Sequence, residues 1–137
     1  MKNMRVAILG YGNIGKSAEQ AVLLAPDMEL VGVYHHNDSL DNVAADVVLI
    51  CTPTREMGRY AELLLAQGVN VVDSFDVHGD IRMHRSRLGA KAIAHRAVSV
   101  VAAGWDPGTD SVMRAMLLAM APEGVTYTNF GPGRSMG

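Results

Sequence analysis

A chain of 137 residues has the size of one domain, since domains commonly run to about 100–150 residues. Twelve basic residues against fourteen acidic ones give a formal charge of −2, which supplies no electrostatic basis for a nucleic-acid partner. With 19% charged and 49% hydrophobic residues the composition excludes a disordered chain, and the longest apolar run, Ala115–Ala121, is far short of the roughly 18 residues of a membrane span.

Along the chain, short apolar strands alternate with helical patterns, which predicts an α/β fold on a parallel sheet. Arg5–Leu9 is the first strand, and a helix follows from about Gly12 to Ala25, stopped by Pro26-Asp27. Glu29–Tyr34 is the second strand. The polar stretch His35–Asp46 barely supplies the dozen or so residues that a parallel crossover needs, so no full helix is expected there. Val47–Cys51 reads as a buried strand, and Thr54 is expected to cap a helix reaching Gln67, with Gly68 in its C-terminal turn. Val69–Val72 is the next strand, Gly79–Ala94 a helix, Val98–Val101 a strand and Asp110–Met120 a helix ended by Pro122. Val125–Phe130 is a last strand, before the glycine-rich loop Gly131–Gly137.

Gly10-Tyr11-Gly12-Asn13-Ile14-Gly15 is a GxGxxG placed directly after a strand and opening a helix. In that context the first glycine permits the tight turn, the second lets a pyrophosphate reach the backbone, and the third allows close helix–strand packing. The helix N-terminus presents free N–H groups and a positive dipole end to the phosphates. A glycine-rich turn without a ligand is the bland alternative. At the end of the second strand stand His35, His36 and Asn37, with no carboxylate before Asp38. An acid there takes the ribose 2′-hydroxyl of NAD, whereas basic groups accept the 2′-phosphate of NADP. The sequence therefore favours NADP, with NAD less favoured and two solvated loop histidines as the competing reading.

Asp73-Ser74-Phe75-Asp76-Val77-His78-Gly79-Asp80 gathers three carboxylates and a histidine just past a strand, where ligands of parallel sheets bind. Asp106 follows Trp105 in Gly104-Trp-Asp-Pro-Gly108, beyond the strand Val98–Val101. Carboxylates converging from neighbouring strand ends suit a cationic group such as an ammonium. Asp73 and Asp80 have the competing role of turn or helix caps.

Together the pieces VAILGYGNIG (Val6–Gly15), VDSFDVHGD (Val72–Asp80), AGWDPGTDS (Ala103–Ser111) and TYTNFGPGRSMG (Thr126–Gly137) resemble the meso-diaminopimelate dehydrogenases. The resemblance implies a Rossmann-type, doubly wound parallel sheet over residues 1–125 and, at 126–137, the beginning of a substrate and dimerisation domain whose remainder is not present. It implies an NADP-dependent, reversible oxidative deamination of the D-centre of meso-2,6-diaminopimelate to L-2-amino-6-oxopimelate and ammonia, in a cytoplasmic enzyme that is a homodimer at full length. By position, Asp76, Asp80, Trp105, Asp106, Phe130, Met136 and Gly137 match substrate-pocket residues, with Asp76 and Asp106 as the catalytic candidates. Gly10, Tyr11, Gly12, Asn13, Ile14 and Gly15 match the cofactor loop; His35, His36, Asn37, Thr52, Pro53, Thr54 and Ser74 complete the expected cofactor contacts. The chain departs from the resemblance at His36 and Asn37, where adjacent arginines are usual, in a shorter segment near Ser39–Asn42, and in ending before the residues that contact the substrate carboxylates.

Other signals read as structural. Cys51, the single cysteine, excludes a disulfide framework and reads as a small core residue. His84 and His95, about three helical turns apart, are too distant to share a metal and read as surface residues; no metal is expected. Met113, Met116, Leu117 and Met120 form a helical packing face, and Arg82, Arg85, Arg87 and Lys91 a solvated one. The opening Met1-Lys-Asn-Met-Arg5 is a poor signal peptide. Two other classes stay open: a reductase of similar build for another amino or oxo acid, and a non-catalytic NAD(P)-binding sensor.

Overall fold

The computed structural model of the chain describes residues 3–123, apart from the side chains of Asp106 and Pro107. The predicted strand Val125–Phe130 and the boundary of a second domain at 126–137 lie outside the described residues. Five strands, β1 (Met4–Leu9), β2 (Met28–Tyr34), β3 (Val47–Ile50), β4 (Asn70–Asp73) and β5 (Ser99–Val100), form one sheet in the order β2-β1-β3-β4-β5. Every pairing is parallel. The helices α1 (Asn13–Leu24), α2 (Thr54–Ala66) and α3 (Ile81–His95) make the crossovers from β1 to β2, β3 to β4 and β4 to β5. Right-handed crossovers that reverse direction at β1 put α1 on one face and α2 and α3 on the other. This is the doubly wound α/β arrangement that the sequence predicts.

The strands are apolar because they are covered on both faces. Val6 to Leu9, Val48, Ile50 and Val71 are all buried, and Met57, Tyr60, Ala61, Leu64 and Leu65 of α2 close over them with Leu88 and Ala92 of α3. The α1 face is thinner: Gly15 and Val22 are the buried residues of that helix. Between β2 and β3 the chain makes turns and no helix, as its length requires. Gln67 ties the middle of the segment to α2: its Oε1 accepts from the Val43 amide at 3.0 Å while its Nε2 donates to the Leu40 carbonyl at 2.8 Å.

Element by element, the predicted positions hold to within a residue or two, with two local differences. Thr54 is the first residue of α2 and not its cap; Pro53 occupies that place and no side chain caps the helix. A π-helical turn, Trp105–Thr109, precedes α4 (Asp110–Met120), where the sequence offers only a loop. The methionine face of α4 is exposed at Met113, Met116 and Met120, and the helix packs on the turn before it.

Helix α3 ends on Arg96, which takes the left-handed conformation at φ 55°. A Cβ there costs about 1–2 kcal/mol, partly offset in glycine by the entropy of the unfolded chain. Arg96→Gly is expected to stabilise the fold by about 0.5–1 kcal/mol, read as a higher denaturant midpoint with unchanged slope; a lower midpoint would refute it.

Candidate functional site

The strand order reverses at β1, so the C-terminal ends of β2, β1 and β3 diverge around a crevice, the usual ligand position in such sheets. Here it is a cleft of about 810 Å³ lined by Gly10 to Ile14 of the first turn, His35 and His36 beyond β2, and Cys51, Thr52 and Pro53 beyond β3. Glu56, Arg59 and Tyr60 of α2 complete the wall.

The glycines of the turn divide their work as the pattern predicts. Gly10 has φ 95°, and a Cβ on it would lie 2.7 Å from the Cys51 carbonyl oxygen. A Cβ on Gly15 would overlap the Gly10 carbonyl oxygen, whereas one on Gly12 would meet nothing within 4 Å. The turn is therefore packed behind and open in front, at the position where α1 begins and its first amides are free. Thr52 lines the same space: it is 7% exposed, yet its hydroxyl has no hydrogen-bond partner among the described residues. A buried hydroxyl left unsatisfied costs about 1–3 kcal/mol, which a polar ligand in the cleft would relieve. An open glycine, a helix N-terminus and an orphaned hydroxyl facing one cavity fit a phosphate-bearing group.

Tyr11 is anchored at the wall of the cleft. Its hydroxyl donates to Glu19 Oε2 at 2.5 Å, which pushes the phenol pKa up, and its ring meets His35 edge-on with centroids 5.9 Å apart. Beyond β2 the loop folds Asp38 back: the His35 amide donates to its Oδ2 at 2.7 Å, and His35 Nδ1 lies 3.4 Å from the same oxygen. The His35 amide, first among the causes, holds the Asp38 carboxyl below its ordinary range. The carboxylate that is three residues away in sequence thus stands at the strand end.

Of the residues expected at the cofactor, Gly10, Tyr11, Gly12, Asn13, Ile14, His35, His36, Thr52 and Pro53 share the cleft. Gly15 packs beneath it, and Asn37 sits exposed in the following turn. Thr54 lines a neighbouring hollow of about 500 Å³ with Phe75, Asp80 and His84, and Ser74 faces Gly104. Cys51 is half-buried at the cleft, and burial pushes its thiol pKa up, which argues against a nucleophile. Glu56, Arg59 and Tyr60 were not singled out in the sequence; the available signal was a charged pair in the two helical turns following the β3 loop.

The acids past β4 separate into three roles. Asp76 is exposed, and its Oδ1 accepts the Thr54 hydroxyl at 2.6 Å. Asp80 stands at the cap position of α3 without a side-chain capping bond. Asp73 is 1% exposed; its Oδ1 accepts from the amides of Phe75 at 3.1 Å and Ala102 at 3.2 Å, and its backbone oxygen from Ala103 at 2.8 Å. Its Oδ2 accepts from His84 Nε2 at 2.9 Å, and the His84 ring stacks on Phe75 at 4.0 Å between centroids. His84 is therefore a buried residue, 5% exposed, and not the surface residue that the sequence suggests. The reason is tertiary: the carboxylate that satisfies it comes from the end of β4, eleven residues earlier. This pair ties together the β4 loop carrying Asp76 and the β5 loop carrying Trp105, and it holds Ala102 in the left-handed region at φ 56°. Trp105 is 55% exposed in the π-helical turn to which Asp106 belongs; the Asp106 side chain, and Phe130, Met136 and Gly137 altogether, lie outside the described residues. Among the described residues no group of three metal-binding side chains occurs, and no helix is long and apolar enough to cross a membrane.

No protein-family model matches the chain. Among curated proteins it is 48% identical over 153 residues to the meso-diaminopimelate D-dehydrogenase of Bacteroides fragilis, covering 100% of this chain and 51% of that protein. Among solved structures, the Corynebacterium glutamicum diaminopimelate dehydrogenase in complex with diaminopimelate aligns with a TM-score of 0.67 and 32% identity, over 88% of this chain and 42% of the other. An engineered D-amino acid dehydrogenase bound to NADP+ aligns with a TM-score of 0.68 and 32% identity, over 87% of this chain and 42% of that one. The chain spans about half the length of the relatives that it matches. In sequence over its whole length, and in backbone over most of it, the chain is homologous to the N-terminal half of the meso-diaminopimelate dehydrogenases.

Proposed function

We propose that this chain is the nicotinamide-dinucleotide-binding part of an NADP-dependent meso-diaminopimelate dehydrogenase, which deaminates the D-centre of its substrate reversibly and is a homodimer at full length. The observation that carries the reading is the bond from Thr54 to Asp76 at 2.6 Å. It joins the loop beside the cleft to the acid-bearing loop past β4, so cofactor and substrate ends adjoin. A nicotinamide dinucleotide held in the cleft would supply the hydride acceptor for the substrate carbon; the chain's own residues contribute alignment and charge. In this reading Gly12, the start of α1 and Thr52 hold the pyrophosphate and ribose. Asp76, Asp80 and Asp106 draw the substrate ammonium to the open ends of β4 and β5, and Trp105 walls the pocket. Asp76 or Asp106 stabilises the cationic amine and assists proton transfer as water adds to the imine and ammonia leaves.

The decisive assay mixes the chain with meso-diaminopimelate and NADP+, with NAD+ in parallel, and follows reduced-nicotinamide absorbance. Turnover on meso-diaminopimelate is the expected result for material that carries the complete site. Cofactor binding without turnover assigns the activity to a longer parent protein; failure to bind either cofactor refutes the reading. In an active preparation, Asp106→Asn and Asp76→Asn are each expected to lower turnover about 100-fold or more, in line with the loss of a general acid–base group, while cofactor affinity is unchanged. A sensor module would show no such dependence.

A further inference from the structure

We propose that Arg59 is the residue that selects a 2′-phosphorylated adenosine in this cleft, and hence NADP over NAD; the inference rests on the dinucleotide reading above. A dinucleotide with its pyrophosphate on the Gly10–Gly15 turn extends its adenosine between the end of β2 and the loop past β3, the two sides of the crevice. The β2 side is a weak source of positive charge. Its cleft residues are His35 and His36, and Asp38 already lies against His35, 2.7 Å from its amide. Imidazoles near neutral pH supply less charge than a guanidinium, which is always ionised.

Arg59, in the second turn of α2, is the one lining residue with a permanent positive charge. Its guanidinium carbon lies 4.6 Å from the centroid of the Tyr60 ring. Tyr60 is itself buried, so the arginine rests on a fixed platform, yet it remains exposed and no carboxylate pairs with it among the described residues. A planar, weakly hydrated cation held on an aromatic face and lacking an acid partner is suited to bind a phosphate through two parallel N–H bonds. The unpartnered hydroxyl of Thr52 faces the same wall. Glu56, one turn earlier on α2, contributes the opposing charge. Removing Arg59 therefore withdraws an attraction and leaves that carboxylate alone before a phosphate.

Binding of four probes to the full chain, measured by titration calorimetry, isolates the phosphate: 2′,5′-ADP against 5′-AMP, and NADP+ against NAD+. Arg59→Ala is expected to weaken 2′,5′-ADP and NADP+ by about tenfold or more and to leave 5′-AMP and NAD+ within about twofold, a selective change on the scale of one charge-assisted contact. Arg59→Lys should keep part of the preference, because it keeps the charge and loses the fork. Equal weakening of both members of each pair would place Arg59 on the base or in the fold and overturn the proposal, as would unchanged affinities. A larger phosphate-selective loss in His35→Ala or His36→Ala would overturn it in favour of the β2 side. If the wild-type chain bound none of the four, the dinucleotide reading itself would fall. Arg59 is exposed, so unfolding of the alanine variant is not expected, and a thermal melt checks this.

Discussion

Gly12→Val is expected to weaken dinucleotide binding by about a hundredfold or more, equivalent to ~3 kcal/mol, while the protein stays folded. Gly12 faces open space, with no atom within 4 Å of the place a Cβ would take. The valine Cβ therefore enters open space, and the side chain fills the volume through which a pyrophosphate would reach the backbone. Its cost to the fold is confined to the start of α1, where glycine is a better cap than valine by about 1 kcal/mol; the melting midpoint should fall by no more than about 5 °C. The neighbouring glycines behave differently. Alanine at Gly10 or Gly15 would press on the carbonyl of Cys51 or of Gly10, so those changes should unsettle the turn itself. A folded Gly12→Val chain that binds NADP+ with wild-type affinity would remove the phosphate-turn assignment.

His84→Ala and Asp73→Ala are expected to be the most damaging substitutions to stability among the site's supporting residues, at about 3–5 kcal/mol each. That is a large part of the roughly 5–15 kcal/mol that holds an ordinary domain together. The pair is buried, and the Asp73 carboxylate also satisfies the amides of Phe75 and Ala102. Removing His84 leaves a buried charge short of a partner; removing Asp73 orphans two amides and frees a left-handed Ala102 from what holds it. Asp73→Asn should be milder, because its amide oxygen still accepts from both backbone groups and its Nδ2 can donate to the His84 ring. Denaturant midpoints check the order. Emission from Trp105, the single tryptophan, reports whether the loop past β5 moves. An Asp73→Ala variant within about 1 kcal/mol of wild type would contradict the clamp.

The element sequence was legible because each element satisfies its own local rule. Val47–Ile50 is wholly apolar because it is covered on both faces, Pro26 ends the first helical pattern, and Gly68 supplies the left-handed turn after α2 with φ 76°. The Gly10–Gly15 turn was legible for the same reason: the close approach of the Cys51 carbonyl to Gly10, and of the Gly10 carbonyl to Gly15, requires small residues at fixed spacing between a strand and a helix. Thr54 had the right residue type for a cap, but tertiary structure gave it a better partner in Asp76.

What the sequence by itself determined, then, is the alternating α/β order, the glycine-rich strand-to-helix turn and the clustering of acids beyond β4 and before α4. Each is encoded within about ten consecutive residues, where spacing alone fixes geometry. What only the tertiary structure decided is which of these groups meet. Arg59 of α2 comes to face the histidines beyond β2 because β1 lies between β2 and β3 in the sheet. Asp38 returns to the strand end by a turn, and His84 leaves the surface because the Asp73 carboxylate awaits it inside. A buried polar side chain is stable only with its partner in place, and that partner is set by chain crossovers that no local pattern of residues records.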